Sequence, residues 1–152
     1  MDKLFEFTVH SKESGFPIYQ TKKNPIVYDI NPPLVRKEEI KKVPVSYFFQ
    51  LQINSMKGAF VLHNVLTKAE CDQFKETTEK MNFEEAPLTT KRGMIVRRDV
   101  RSNKRVMWQT THEIWEPIWE RIKTSLPDVI ELHGKQWVPF SLNERLRFYR
   151  CK

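Results

Sequence analysis

Two hydrophobic spacings run along this chain, one of period two and one of period 3.6. The clearest period-two stretch is Leu142–Lys152, LNERLRFYRCK. Leu142, Leu146 and Phe148 share one face with Glu144 and Arg150, while Asn143, Arg145, Arg147, Tyr149 and Cys151 share the other. An apolar back and a front of hydrogen-bonding groups fit a strand in a cavity wall. A plain edge strand with solvated arginines fits the same pattern. A strand running this close to the last residue reads as a domain cut open. A second run after Gly58, rich in β-branched residues, predicts a strand from about Ala59 to Val65. Aromatic-rich Ser46–Ile53 is a further strand candidate.

Helical spacing occurs twice. Thr67 and Glu70 have the spacing of a capping box, with Leu66 and Cys71 placed to form a hydrophobic staple. Cys71, Phe74, Thr78 and Met81 then recur on one side, predicting a helix over about Lys68–Met81 with Cys71 as a buried thiol. Thr110 and Glu113 repeat the box ahead of Ile114, Trp115, Ile118, Trp119 and Ile122. Pro117 lacks a backbone donor and clashes with the turn before it. The pattern therefore predicts a short turn to Trp115, then a helix with Pro117 in its first turn, ending near Lys123, with both tryptophans as core anchors. Asp128–Phe140 connects around Gly134, with His133 as a turn residue. Five prolines (Pro17, Pro25, Pro32, Pro33, Pro44) mark residues 1–45 as an extended, partly disordered leader, its apolar pieces Leu4–Val9 and Pro25–Ile30 being brief strands or arms. The ordered domain is expected over 46–152.

With 152 residues there is room for one domain. Ten Phe, four Trp and four Tyr exclude a wholly disordered chain. Glycine is scarce, and neither GxGxxG nor GxxxxGK[ST] is present, which excludes the common phosphate-cradling loops. The net charge of +7 favours an anionic partner such as nucleic acid, acidic lipid or a small dianion. Cys71 and Cys151 form neither a CxxC pair nor a zinc spacing and point to a reducing compartment. No membrane-spanning apolar run and no signal-peptide core are present, so a cytoplasmic or nuclear location is expected.

The charge is concentrated in Lys91–Arg105, where seven of fifteen residues are Lys or Arg. Arg101, Asn103 and Arg105 alternate within it, and Trp108 follows. Arginine forks and an amide suit carboxylates and peptide carbonyls. A basic run beside an aromatic also suits nucleic acid. A non-enzymatic basic module binding nucleic acid or an acidic protein is therefore one functional expectation.

The order of these pieces supplies another. A strand, then LTKAEC opening an amphipathic helix, a basic loop with RxNxR, a Trp-rich helix ending in LP, and NERLRFYR follow one another. That series resembles the N-terminal half of the Fe(II)- and 2-oxoglutarate-dependent oxygenases of the prolyl 4-hydroxylase-like group. Leu66, Thr67, Glu70 and Cys71 match the family's helix opening, and Arg147, Phe148, Tyr149 and Arg150 match its first core strand. Coverage is roughly Gly58 to Arg150. The resemblance implies an α+β fold: N-terminal helices and first strands of a double-stranded β-helix (jelly-roll), incomplete at the C-terminus. It implies peptide hydroxylation, often at proline, with Fe(II), 2-oxoglutarate and ascorbate as cofactors and a peptide or protein as substrate. It makes Arg101, Asn103 and Arg105 candidates for substrate contact, and Arg145, Arg147 and Tyr149 candidates for the cavity wall. The family holds iron with two histidines and a carboxylate. No His-x-Asp occurs here, and Cys151 stands where a tyrosine is common. No catalytic and no metal-binding residue is assigned, and a chain inactive by itself is expected.

Overall fold

The computed structural model describes residues 6–13, 15–39, 60–90, 93–97 and 102–151. The strand expected over Ser46–Ile53 and the start of the one at Ala59 lie outside these residues. In chain order the elements are β1 (Phe7–Glu13), β2 (Phe16–Thr21), β3 (Arg36–Glu39), β4 (Phe60–His63), α1 (Lys68–Lys80), β5 (Glu84–Glu85) and β6 (Leu88–Thr90). There follow β7 (Gly93–Ile95), β8 (Lys104–Gln109), α2 (His112–Ile122) with a 3-10 turn (Lys123–Ser125), β9 (Ile130–Leu132), β10 (Lys135–Trp137) and β11 (Arg145–Arg150). The fold is mixed α/β, its strands mostly antiparallel, and no barrel closes among the described residues.

The main sheet has the order β1-β2-β8-β11. One edge of β8 pairs along its length with β11, Trp108 opposite Leu146 and Val106 opposite Phe148. Its other edge takes β2 in parallel (Ile18 opposite Met107, Tyr19 opposite Trp108) and then β5, where Glu84 and Glu85 oppose Arg105 and Lys104. Strand alternation sends Tyr19, Val106, Trp108, Leu146 and Phe148 to one face. There they meet α1 and α2 through Phe74, Met81, Ile114 and Ile118. Trp108 is wholly buried at the centre, its ring 6.0 Å from that of Phe74 and 6.2 Å from that of Phe148. Ile18 and Met107 are buried as well, so this part of the sheet is covered on both sides.

The leader is the largest departure from expectation. Phe7–Glu13 and Phe16–Thr21 pair as the antiparallel strands β1 and β2, and β2 sits inside the main sheet rather than trailing from it. Pro25–Ile30 is an arm, as its composition allows, and Ile26 within it is core. Buried area, which prolines do not forbid, outweighs the local signal here.

Helix α1 forms where its capping box places it. Thr67 Oγ1 accepts from the Glu70 amide at 3.3 Å, and Glu70 Oε2 accepts from the Thr67 amide at 2.8 Å. Phe74, Thr78 and Met81 are buried as the spacing requires, but Cys71 is exposed, and Glu70 takes the inward position beside it. A fully buried carboxylate needs partners. Arg121 of α2 provides them bidentately, Nη1 to Oε2 at 2.7 Å and Nη2 to Oε1 at 2.8 Å, and the Asp29 amide adds 2.7 Å to Oε1. The Arg121 guanidinium also donates to the Val65 carbonyl at 2.9 Å and lies 5.3 Å from the Tyr28 ring centre. Arg121, with the backbone donors, holds the Glu70 carboxyl down at a pKa of about 2, and burial raises that of Tyr28.

The second helix also departs from its pattern. It is continuous over His112–Ile122 with Pro117 inside, its N-cap is Thr111, and no side chain caps it. Thr110 is no cap: its hydroxyl and amide both donate to the Glu144 carbonyl, at 2.6 and 2.9 Å, tying the end of β8 to the start of β11. The arm explains how Pro117 is tolerated. The Glu113 carbonyl, which a proline four residues on cannot serve, receives the Asn24 side-chain amide at 3.5 Å, and the Tyr28 hydroxyl donates to the Ile114 carbonyl. Ile114, not the two half-buried tryptophans, is the core anchor of α2. Finally, β9 and β10 form a two-residue hairpin through His133 (φ 54°) and Gly134 (φ 71°), the left-handed pair such turns need.

Candidate functional site

Two concave surfaces border β11. A polar one of about 420 Å³ is formed by Gln109, Asn143, Glu144, Arg145 and Arg147. Arg145 lies 3.5 Å from Glu13, and its Nε is buried with no hydrogen-bond partner among the described residues. A larger, mainly apolar groove of about 690 Å³ runs between α1 and β11. Leu66, Phe74, Phe83, Ile118, Leu146 and Phe148 form its apolar part. Phe74 and Phe148 stack at 6.0 Å, which sets the groove's depth by holding strand to helix. The exposed thiols of Cys71 and Cys151 both border it.

The residues singled out in the sequence meet different fates. Arg101 lies outside the described residues. Asn103 is half-buried, its carbonyl accepting from the Ala86 amide at 3.1 Å and its Oδ1 buried without a hydrogen-bond partner among the described residues. Arg105 belongs to β8 rather than to a loop, and is buried with its guanidinium 5.8 Å from the Phe16 ring centre. Arg147 and Tyr149 are exposed and Arg145 is partly so, and register places Tyr149 opposite Arg105. The strand thus brings Arg145 and Arg147 to one concavity, while Arg105 lies in the packed part of the sheet and Asn103 just before β8. Trp108 has no face to offer a base, because its ring is core. The stacking half of the nucleic-acid expectation is thereby corrected.

The geometry brings together no iron(II) ligand set among the described residues. Among the described residues no group of three or more His, Cys, Asp or Glu could hold a metal ion. Nδ1 of His10 is 3.1 Å from Gln20, Nε2 of His63 is 2.9 Å from Glu38, and Nε2 of His112 is 3.1 Å from Glu116. His133 is in the β9–β10 turn. The four imidazoles sit on separate elements and do not converge. Also among the described residues, no helix is long and apolar enough to cross a membrane.

Sequence reasoning missed the groove as a unit. Leu66, Phe74, Ile118 and Phe148 were each visible as apolar positions, but the space they enclose depends on α1 lying across β11, which no local spacing encodes. Comparison with protein-family models, with curated proteins and with solved structures finds no match for this chain.

Proposed function

We propose that the chain is a scaffold portion of an Fe(II)/2-oxoglutarate-dependent oxygenase-like domain of the prolyl 4-hydroxylase-like group: the helices and first strands of a jelly roll, acting on a peptide only when metal-binding strands complete it. One observation carries this. The RFYR strand, β11, is the last strand of the main sheet among the described residues, its Leu146 and Phe148 packed on the helices and its Arg147 and Tyr149 turned outward. Such a strand is placed to continue a sheet and to present polar groups to whatever lies on its front.

The chain itself supplies shape rather than metal chemistry. Two measurements test this. Anaerobic calorimetry with Fe(II), then with 2-oxoglutarate, should show no stoichiometric binding to the 152-residue chain; tight binding of either refutes the scaffold role. The coding region after codon 152 should continue in frame through Pro-Gly, His-x-Asp and a distal His. A frame without those residues removes the family assignment.

A further inference from the structure

We propose that the free edge of β11 is a strand-addition site for an extended segment of another polypeptide, one in which apolar residues alternate with Asp or Glu. The first observation is the lining of the 690 Å³ groove. It includes six consecutive residues, Leu146 through Cys151. Successive side chains of a strand point to opposite faces, so a cavity lying on one face touches every second residue. A cavity that touches Arg147 and Tyr149 as well as Leu146, Phe148 and Arg150, five successive residues of β11, reaches the strand's edge. There the backbone N–H and C=O groups of β11 face no other strand among the described residues. An occupant of this groove meets a row of backbone donors and acceptors, which an extended peptide satisfies and a compact apolar ligand does not.

The second observation fixes the chemistry of the occupant. The side of the groove toward α1 is apolar, walled by Leu66, Phe74, Phe83, Ile118 and Phe148. Its rim carries Lys75, Arg147 and Arg150 against the single carboxylate of Glu79. Arg150 is committed to Glu79 and lies over the Phe83 ring at 4.4 Å. Lys75 and Arg147 make no ion pair among the described residues. An added strand therefore turns apolar side chains toward α1 and carboxylates toward Arg147. A second copy of this chain is the poorer occupant: face-matched self-pairing of β11 brings Arg145 and Arg147 of both strands together on one face, where like charges oppose. The inference needs only the edge and groove of this chain and does not depend on the reading proposed above.

The test uses the full chain carrying Cys71→Ser, with an environment-sensitive fluorophore on Cys151 at the groove. The probes are a capped Val-Glu alternating octapeptide, a block-ordered peptide of the same composition, and a Val-Lys alternating octapeptide. Two N-methylated forms of the Val-Glu peptide, methylated in alternate frames, complete the set. The alternating Val-Glu peptide should saturate the signal, with the Val-Lys peptide at least tenfold weaker. Arg147→Glu, an exposed substitution whose folding is checked by circular dichroism, should reverse that order. One N-methylated frame should lose binding and the other keep it, because an added strand offers one edge to β11. No saturation, indifference to peptide charge, or equal binding of both methylated frames each overturns the proposal. None of these outcomes touches the oxygenase assignment, which the iron titration and the downstream frame decide separately.

Discussion

Replacing Glu70 by Gln removes the charge at the one point where α1, α2 and the 24–29 arm are tied together. The carboxylate is 1% exposed and accepts from Arg121 twice and from the amides of Asp29 and Thr67. Glutamine retains one acceptor oxygen and turns an NH2 group toward the remaining donors. Breaking a buried pair from one side costs about 3–5 kcal/mol, since the other charge stays behind. Linkage gives an independent figure. The folded pKa of about 2 against an ordinary 4.5 corresponds to about 3 kcal/mol. The folded value is the lower one, so this stabilisation is complete above pH of about 4.5 and is lost as the pH falls toward 2. Of the ~3 kcal/mol present at pH 7, about 2 should remain at pH 3.5 and under about 1 at pH 2.5. The assay is urea unfolding of wild type and Glu70→Gln at these three pH values. Other carboxylates titrate in both proteins and cancel in the difference. A double-mutant cycle with Arg121→Met should show about 2 kcal/mol of coupling. A Glu70→Gln cost under about 1 kcal/mol at pH 7, or a gap that does not shrink with acid, would refute the assignment of this cluster as the main tie.

Two further outcomes are expected. Thr67→Ala should lower stability by about 1 kcal/mol in the same unfolding assay and leave the acid sensitivity of Glu70 intact, because the Thr67 amide still donates to it. Cys71 should react with an aromatic disulfide reagent in the native protein at a rate close to that of Cys151, since both are exposed; slow reaction until denaturant is added would place Cys71 in the core after all.

The elements specified by neighbouring residues are legible in the sequence. The Thr67–Glu70 box begins α1, the parity of Leu146 and Phe148 gives the inward face of β11, and His133-Gly134 makes a turn. What could not be read depends on partners far away in the chain. Cysteine looks inward and glutamate outward on a helix until Arg121, 51 positions later, makes the opposite arrangement favourable. Thr110 looks like a cap until Glu144 arrives to take its hydroxyl. Pro117 looks like a break until Asn24 and Tyr28 serve the carbonyls of the preceding turn. The candidate site divided along the same line: Arg145 and Arg147 met because one strand carries both, whereas Arg105 was drawn into the sheet by pairing with Glu84 and Tyr149.

The parallel contact between Ile18 and Met107 also bears on how the molecule is made. At about 5–20 residues per second, a ribosome delivers the second partner on the order of 5–20 s after the first. Through that interval the opening ribbon is a solitary two-stranded unit, a kind that is marginal in water. During synthesis its Ile18 and Tyr19 therefore stay without their shelter until the strand that covers them emerges.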